Sequence, residues 1–209
     1  MFWKGLAFVP FLSFSTDTTR TWVIGDSIVF RASQSDPRCP ATRCLQWFTV
    51  RGAKLIELIP MLNRHLKTMP APRTLVIHLG TNDLFSTPVM ELRCKIKECL
   101  CTIQEMLPTT RIAWSDILYR LFYYGETKKG VGKKNLRALN KFAHMICRQI
   151  GKASAIIHAH NIKASDQSLF WCDGLHLSAV GNTKFCENLH NALAFFSLYP
   201  DAHSYPVSA

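Results

Sequence analysis

Long apolar runs are missing from this 209-residue chain. No uninterrupted stretch reaches the roughly 18–20 residues that a membrane-spanning helix requires, so no transmembrane segment is expected. The eight cysteines form no C-x-x-C pair and no Cys/His pair at zinc-finger spacing, which argues against a structural zinc. There is no N-x-S/T glycosylation acceptor, no internal repeat and no low-complexity linker to divide the chain. Acidic residues are scarce: 14 Asp and Glu stand against 25 Lys and Arg, a net charge of +11. That balance favours anionic partners such as nucleic acid or acidic membrane, and is silent on fold. What is present is ample apolar content, 48% against 19% charged, enough for one α/β domain with a full core.

Cys94, Cys99 and Cys147 fall inside helical apolar patterns, where reduced thiols behave as small hydrophobes. Near the N-terminus, Lys4 precedes the apolar stretch Gly5 to Phe14, which has the outline of a weak secretory signal interrupted by Pro10. The reading is an intracellular protein, with export the alternative if that stretch acts as a signal. Residues 1–19 are read as a leader or flap, residues 20–197 as the domain, and residues 198–209 as a frayed tail.

From Thr21 the pattern alternates short β-branched runs with amphipathic stretches. Strands are expected at Thr21–Ile24, Leu45–Val50, Thr74–Leu79, Arg111–Ser115 and Ala153–Ala159. Helices are expected from Lys54 to Leu66, from Pro88 to about Leu107, from Asn135 to Ile150, and from a Ser178 cap to about Phe196. Steady alternation of this kind predicts an α/β domain with a five-stranded parallel sheet covered on both faces. Ligands of such sheets bind outside the carboxyl ends of the strands.

Three motifs fall there. Gly25-Asp26-Ser27 leaves the first strand, Gly52 follows the second, and Gly80-Thr81-Asn82-Asp83 follows the third. A serine hydroxyl at a strand exit is exposed; it serves equally as an ordinary helix cap. Asp173-Gly174-Leu175-His176 follows the fifth strand and supplies an imidazole that could take a serine proton, with Asp173 to orient it. An Asn82 amide and a Gly52 N–H could donate to a developing oxyanion, and each could equally be a turn residue.

Taken in order, Ser27, Gly52, Asn82, Asp173 and His176 resemble the blocks of the SGNH (GDSL-like) hydrolases, through Trp22-Val-Ile-Gly-Asp-Ser27, Gly52, Gly80-Thr-Asn-Asp83 and Asp173-Gly-Leu-His176. More narrowly, Val76-Ile-His-Leu-Gly-Thr-Asn-Asp-Leu84, Trp114-Ser-Asp-Ile117 and Asp173 to Gly181 are similar to hydrolase domains encoded by vertebrate retrotransposons. The resemblance spans about residues 20–196. It implies a flavodoxin-like three-layer sandwich and a serine esterase or acetylesterase that needs no metal or other cofactor. In that scheme Ser27 is nucleophile, His176 base and Asp173 its orienter, with an oxyanion hole from the Ser27 and Gly52 N–H groups and the Asn82 side chain; the partner is a small ester.

Two features lie outside that scheme. Residues 111–163 carry eleven Lys and Arg against Asp116 and Glu126, and Lys128, Lys129, Lys133 and Lys134 at their centre are candidates for nonspecific phosphate contacts with nucleic acid. The alternative function is therefore a vestigial hydrolase-fold module that binds nucleic acid. Trp47, Trp114 and Trp171 sit near strand ends or the histidine turn, where one or two could line an acyl pocket. His78 and His158 lie in buried-strand patterns and read as core histidines; no metal ligand set is expected.

Overall fold

In the computed structural model, residues 21–36, 45–123, 125–126 and 130–206 are described. The strands are β1 (Thr21–Gly25), β2 (Leu45–Thr49), β3 (Thr74–His78), β4 (Arg111–Ser115), β5 (Ser154–Ile157) and β6 (Ser204–Tyr205). The helices are α1 (Ser27–Ser35), α2 (Leu58–Leu66), α3 (Val89–Met106), α4 (Val131–Ile150) and α5 (Ala179–Leu198). All six strands run parallel, in the order β2-β1-β3-β4-β5-β6.

Side chains alternate across a strand, and here that alternation sorts the core into two layers. Trp22, Ile24, Leu75, Ile77, Ile112, Trp114 and Ile156 face α2, α3 and α4. Val23, Val76, Ala113, Ala155 and Ile157 face α1 and α5. Each helix returns an apolar stripe at helical spacing, for example Leu92, Ile96, Cys99, Leu100 and Ile103 on α3. The three-layer α/β expectation holds.

The sheet has six strands where the sequence reading expects five. Its extra edge comes from the tail read as frayed: the His203 and Tyr205 carbonyls accept the Ile156 and His158 N–H groups at 2.9 and 2.7 Å. Two residues of strand lack a periodicity that sequence could reveal. Helix starts follow their chemistry. Pro88 precedes α3, and the Ser178 hydroxyl accepts the Gly181 N–H at 3.2 Å to cap α5. Among the described residues no helix is long and apolar enough to cross a membrane. Cys94, Cys99, Cys101, Cys147 and Cys172 are free thiols; Cys39, Cys44 and the 1–20 segment lie outside the described residues.

The strand order reverses between β1 and β3, since β1 connects outward to β2 while β3 leads on to β4. A crevice forms at such a switch point, outside the carboxyl ends of the strands. Ser27 and Asn82 both follow the two strands that border it.

Candidate active site

Ser27 is the first helical residue of α1, and Asp26 rather than Ser27 is the cap. The Asp26 carboxylate accepts the Ile28 N–H at 2.9 Å and is fully buried. Gly25 lets the helix start this close to the sheet: a Cβ there would lie 2.1 Å from Val29 Cγ2 and 2.8 Å from the His78 carbonyl oxygen. The N–H groups of a first helical turn have no intrahelical acceptor, so the Ser27 N–H remains a donor at the rim.

His176 arrives from the turn before α5. Asp173 Oδ1 accepts the Leu175 and His176 N–H groups at 2.9 and 3.0 Å, which folds the turn around the carboxylate. Asp173 Oδ2 lies 2.7 Å from His176 Nδ1, and His176 Nε2 lies 3.1 Å from Ser27 Oγ. A carboxylate at Nδ1 favours the tautomer that leaves Nε2 as an acceptor for the serine proton. Partial burial pushes the Asp173 carboxyl up, but hydrogen bonds from the His176 ring and from the His176 and Leu175 N–H groups outweigh it, and the group is held down at about 2.

Gly52 adopts φ +73°, a left-handed backbone, in a turn closed by Ala53 N–H on the Val50 carbonyl and tied to β1 by Val50 N–H on the Gly25 carbonyl. A Cβ at Gly52 would meet no atom within 4 Å, so the requirement is conformational rather than steric. Asn82 stands in the short 3₁₀ turn Thr81–Asp83. Its Nδ2 donates to Asp26 Oδ2 at 3.1 Å and to the Ala53 carbonyl at 3.0 Å. The amide expected to point its hydrogens into the pocket thus directs both to protein acceptors, one beside Ser27 and one beside Gly52.

Ser27, Gly52, Asn82 and His176 line one cavity of about 700 Å³. Its aromatic walls are Phe30, Phe85 and Tyr123, not the tryptophans. Trp114 is fully buried in the core beneath α3 and α4, and Trp47 packs half-buried against the α1/α5 layer. Trp171 is half-exposed, with the Arg31 guanidinium 5.5 Å from its ring centre. Lys133 and Lys134 line a separate depression of about 350 Å³ on α4 with Arg137 and Lys141. Lys128 and Lys129 lie outside the described residues.

No protein-family profile matches the sequence, and the curated proteins give no match. Solved structures do. A family 3 carbohydrate esterase from Clostridium thermocellum is similar over 88% of this chain and 99% of its own, at 15% identity and a TM-score of 0.65. A GDSL-like lipase from Bacteroides thetaiotaomicron covers 85% and 88%, at 14% identity and a TM-score of 0.64. This is the GDSL-like hydrolase fold. The esterase EstA from Pseudoalteromonas shares it over 86% of this chain and 99% of its own, at 16% identity and a TM-score of 0.64.

Within this GDSL-like fold, three features escape sequence reasoning. Arg31, Arg51 and Arg120 converge on the cavity from α1, the β2 turn and the segment after β4. The Asp26–Asn82 hydrogen bond joins residues 56 positions apart. Further along the same rim, Asp116 binds two imidazoles, His144 Nε2 at 2.5 Å and His158 Nδ1 at 2.9 Å. These three offer potential ligand atoms within 4.8 Å of one another, a grouping that no spacing in the sequence announces. Burial pushes the Asp116 carboxyl up, but the two imidazole hydrogen bonds win and hold it below the usual carboxylate range. His78 and His158 are both buried; His78 has Nδ1 3.2 Å from Ser115 Oγ and its basicity is lowered chiefly by burial.

Proposed function

We propose that the protein is a serine esterase working through an acyl-enzyme intermediate, with Ser27 as nucleophile, His176 as base and Asp173 as its orienter. One observation carries the reading: the unbroken contact from Asp173 Oδ2 through the His176 ring to Ser27 Oγ, at 2.7 and 3.1 Å, opening into a cavity. The structural neighbours, named as esterases and a lipase, support it.

In this scheme His176 Nε2 takes the Ser27 Oγ proton as Oγ bonds to the ester carbonyl carbon. The carbonyl π pair moves onto oxygen, and the Ser27 and Gly52 N–H groups with the Asn82 amide stabilise the resulting charge. Collapse breaks the carbon–alkoxide bond, and His176 returns the proton to the departing alcohol. Water then gives a proton to His176 as it attacks the acyl carbon; the carbon–Oγ bond breaks, His176 returns that proton to Ser27 Oγ, and the acid leaves. For Asn82 to contribute, one amide hydrogen shifts from Asp26 or Ala53 toward the oxyanion. The test is intact-mass spectrometry after treatment with a fluorophosphonate. A single adduct, absent in Ser27→Ala, is expected; a folded but unlabelled protein would overturn the esterase reading.

A second reading is favoured by the α4 depression, where Lys133, Lys134, Arg137 and Lys141 meet with no carboxylate among the described residues of the lining. Such a surface suits phosphate contacts with nucleic acid, independent of the Ser27 chemistry.

A further inference from the structure

The cavity around Ser27 is lined by three guanidinium groups, Arg31, Arg51 and Arg120, and by no Asp or Glu among the described residues. Charges gathered this way repel one another unless something neutralises them. Arg120 is the most telling. Its side chain is nine-tenths buried, and its closest carboxylate oxygen, Asp26 Oδ2, stands 3.8 Å from Nη2, the outer limit of an ion pair. Asp26 is already engaged: Oδ1 accepts the Ile28 N–H and Oδ2 accepts the Asn82 amide. Arg120 Nη2 is left buried with no hydrogen-bond acceptor among the described residues. Buried donors of this kind are rare, and a charged one is rarer.

Arg31 and Arg51 are held by ring faces, and neither has a carboxylate partner among the described residues. The Arg51 guanidinium lies 4.5 Å from the Phe30 ring centre and that of Arg31 lies 5.5 Å from Trp171. Stacking fixes the plane of a guanidinium while leaving its N–H edge able to donate. Phe30 and Arg31 sit on the first turn after Ser27, and Arg51 immediately precedes Gly52, so both cations are placed beside the reacting groups.

We infer that the substrate is an anionic ester, one that carries a carboxylate or phosphate near its scissile bond for Arg31, Arg51 and Arg120 to bind. The inference rests on the esterase reading for the bond cleaved, but the anion site follows from the three arginines alone. Planar guanidiniums match the oxygens of either group with paired N–H donors. Phe30, Phe85, Tyr123 and Leu175 leave room for a modest apolar portion between charge and ester.

The experiment compares esters that differ in charge. On the alcohol side these are 4-acetoxybenzamide, 4-acetoxybenzoate and 4-acetoxyphenyl phosphate; on the acyl side, 4-nitrophenyl hexanoate and mono-4-nitrophenyl adipate. Rates are normalised to hydroxide hydrolysis of each ester. An anionic ester is expected to exceed its neutral counterpart in kcat/KM by about tenfold or more at low ionic strength, with the preference shrinking as salt screens it. Whether the benzoate or the phosphate leads identifies the anion. The anionic-to-neutral ratio is expected to fall toward one in Arg51→Gln and Arg31→Gln, with Arg51→Lys in between. Calorimetry on Ser27→Ala, which cannot acylate, reads the same site without turnover and should show tighter binding of the anionic ester. Turnover of all esters at equal normalised rates, with no binding preference in Ser27→Ala, overturns this inference and leaves the esterase standing. Absence of any turnover, with anion-selective binding retained in Ser27→Ala, overturns the esterase and upholds the anion site.

Discussion

Asn82 Nδ2 donates to Asp26 Oδ2 across 3.1 Å, so the amide proposed to stabilise the oxyanion is fastened to the residue beside the proposed nucleophile. Asp26 in turn caps the helix that carries Ser27. The two blocks of sequence are therefore one mechanical unit, and substitutions in them should not act independently. Asn82→Ala is expected to lower kcat by about 10²–10³-fold, the usual effect of removing one oxyanion donor. Asp26→Asn, which keeps an acceptor for Ile28, should lower kcat less. The double variant should lose little beyond Asn82→Ala alone, and strictly additive losses in a double-mutant cycle would contradict the coupling.

Asp173 is held down at about 2 by its hydrogen bonds, so it remains a carboxylate across the pH range of an esterase assay. A depressed acid contributes stability above its ordinary range near 4 that is lost as pH falls through about 2. The acid limb of kcat/KM should therefore show no inflection from this residue near pH 4. Asp173→Asn should lower kcat by about 10³–10⁴-fold with a circular-dichroism spectrum unchanged, through loss of the correct imidazole tautomer. Near-normal turnover would mean that His176 is oriented by another group.

Asp83 behaves in the opposite sense. Burial raises its carboxyl to about 6 despite the hydrogen bond from Leu55 N–H at 3.1 Å and the nearby Lys54 and Lys95. The folded protein then binds a proton more tightly than the unfolded chain, so this group favours folding at low pH and opposes it as pH rises from about 4 through 6. Asp83→Asn, which retains an acceptor for Leu55, should raise thermal stability at pH 7.5 by roughly 1–3 kcal/mol. The gain should shrink at pH 5. A variant destabilised at pH 7.5 but not at pH 5 would show that the charged form is needed.

Removing Asp116 should be costly, since it leaves His144 and His158 without the carboxylate that both engage. Asp116→Ala is expected to destabilise by about 1–3 kcal/mol, the scale of leaving buried polar groups without their hydrogen-bond partner. Its stabilising contribution exists above the ordinary carboxylate range and is lost as pH falls below it, because the folded-state value is depressed. Denaturant unfolding at pH 7 and pH 3 should therefore show a large difference between wild type and variant that narrows at the lower pH.

The α4 depression offers a separable test. If Lys133, Lys134, Arg137 and Lys141 contact phosphates, a labelled oligonucleotide should bind with affinity that falls steeply with salt. Replacing Lys133 and Lys134 should flatten the log–log slope by about 0.7–0.9 for each phosphate no longer neutralised, and Ser27→Ala should leave it unchanged. No binding in anisotropy at low salt would reduce this surface to a solvated helix face.

Local order determined much of this protein. The strands alternate every second residue and the helices every three to four, so the positions of β1 to β5 and of α2 to α5 can be read from short windows, with ends shifting by a few residues as in α4, which begins at Val131 rather than Asn135. Because each strand ends at the same rim, the gathering of Ser27, Gly52 and Asn82 at one place follows from the alternation of elements alone. Tertiary structure decided the rest. Trp114 faces the core because the register of β4 points it at α3 and α4. Arg31, Arg51 and Arg120 meet at one cavity, and Asp116, His144 and His158 meet at another part of the rim, only after elements far apart in sequence pack together. A charged side chain on a loop carries no periodicity; its partner depends on where distant backbone brings it, and that is settled by packing the two apolar layers rather than by its own neighbours.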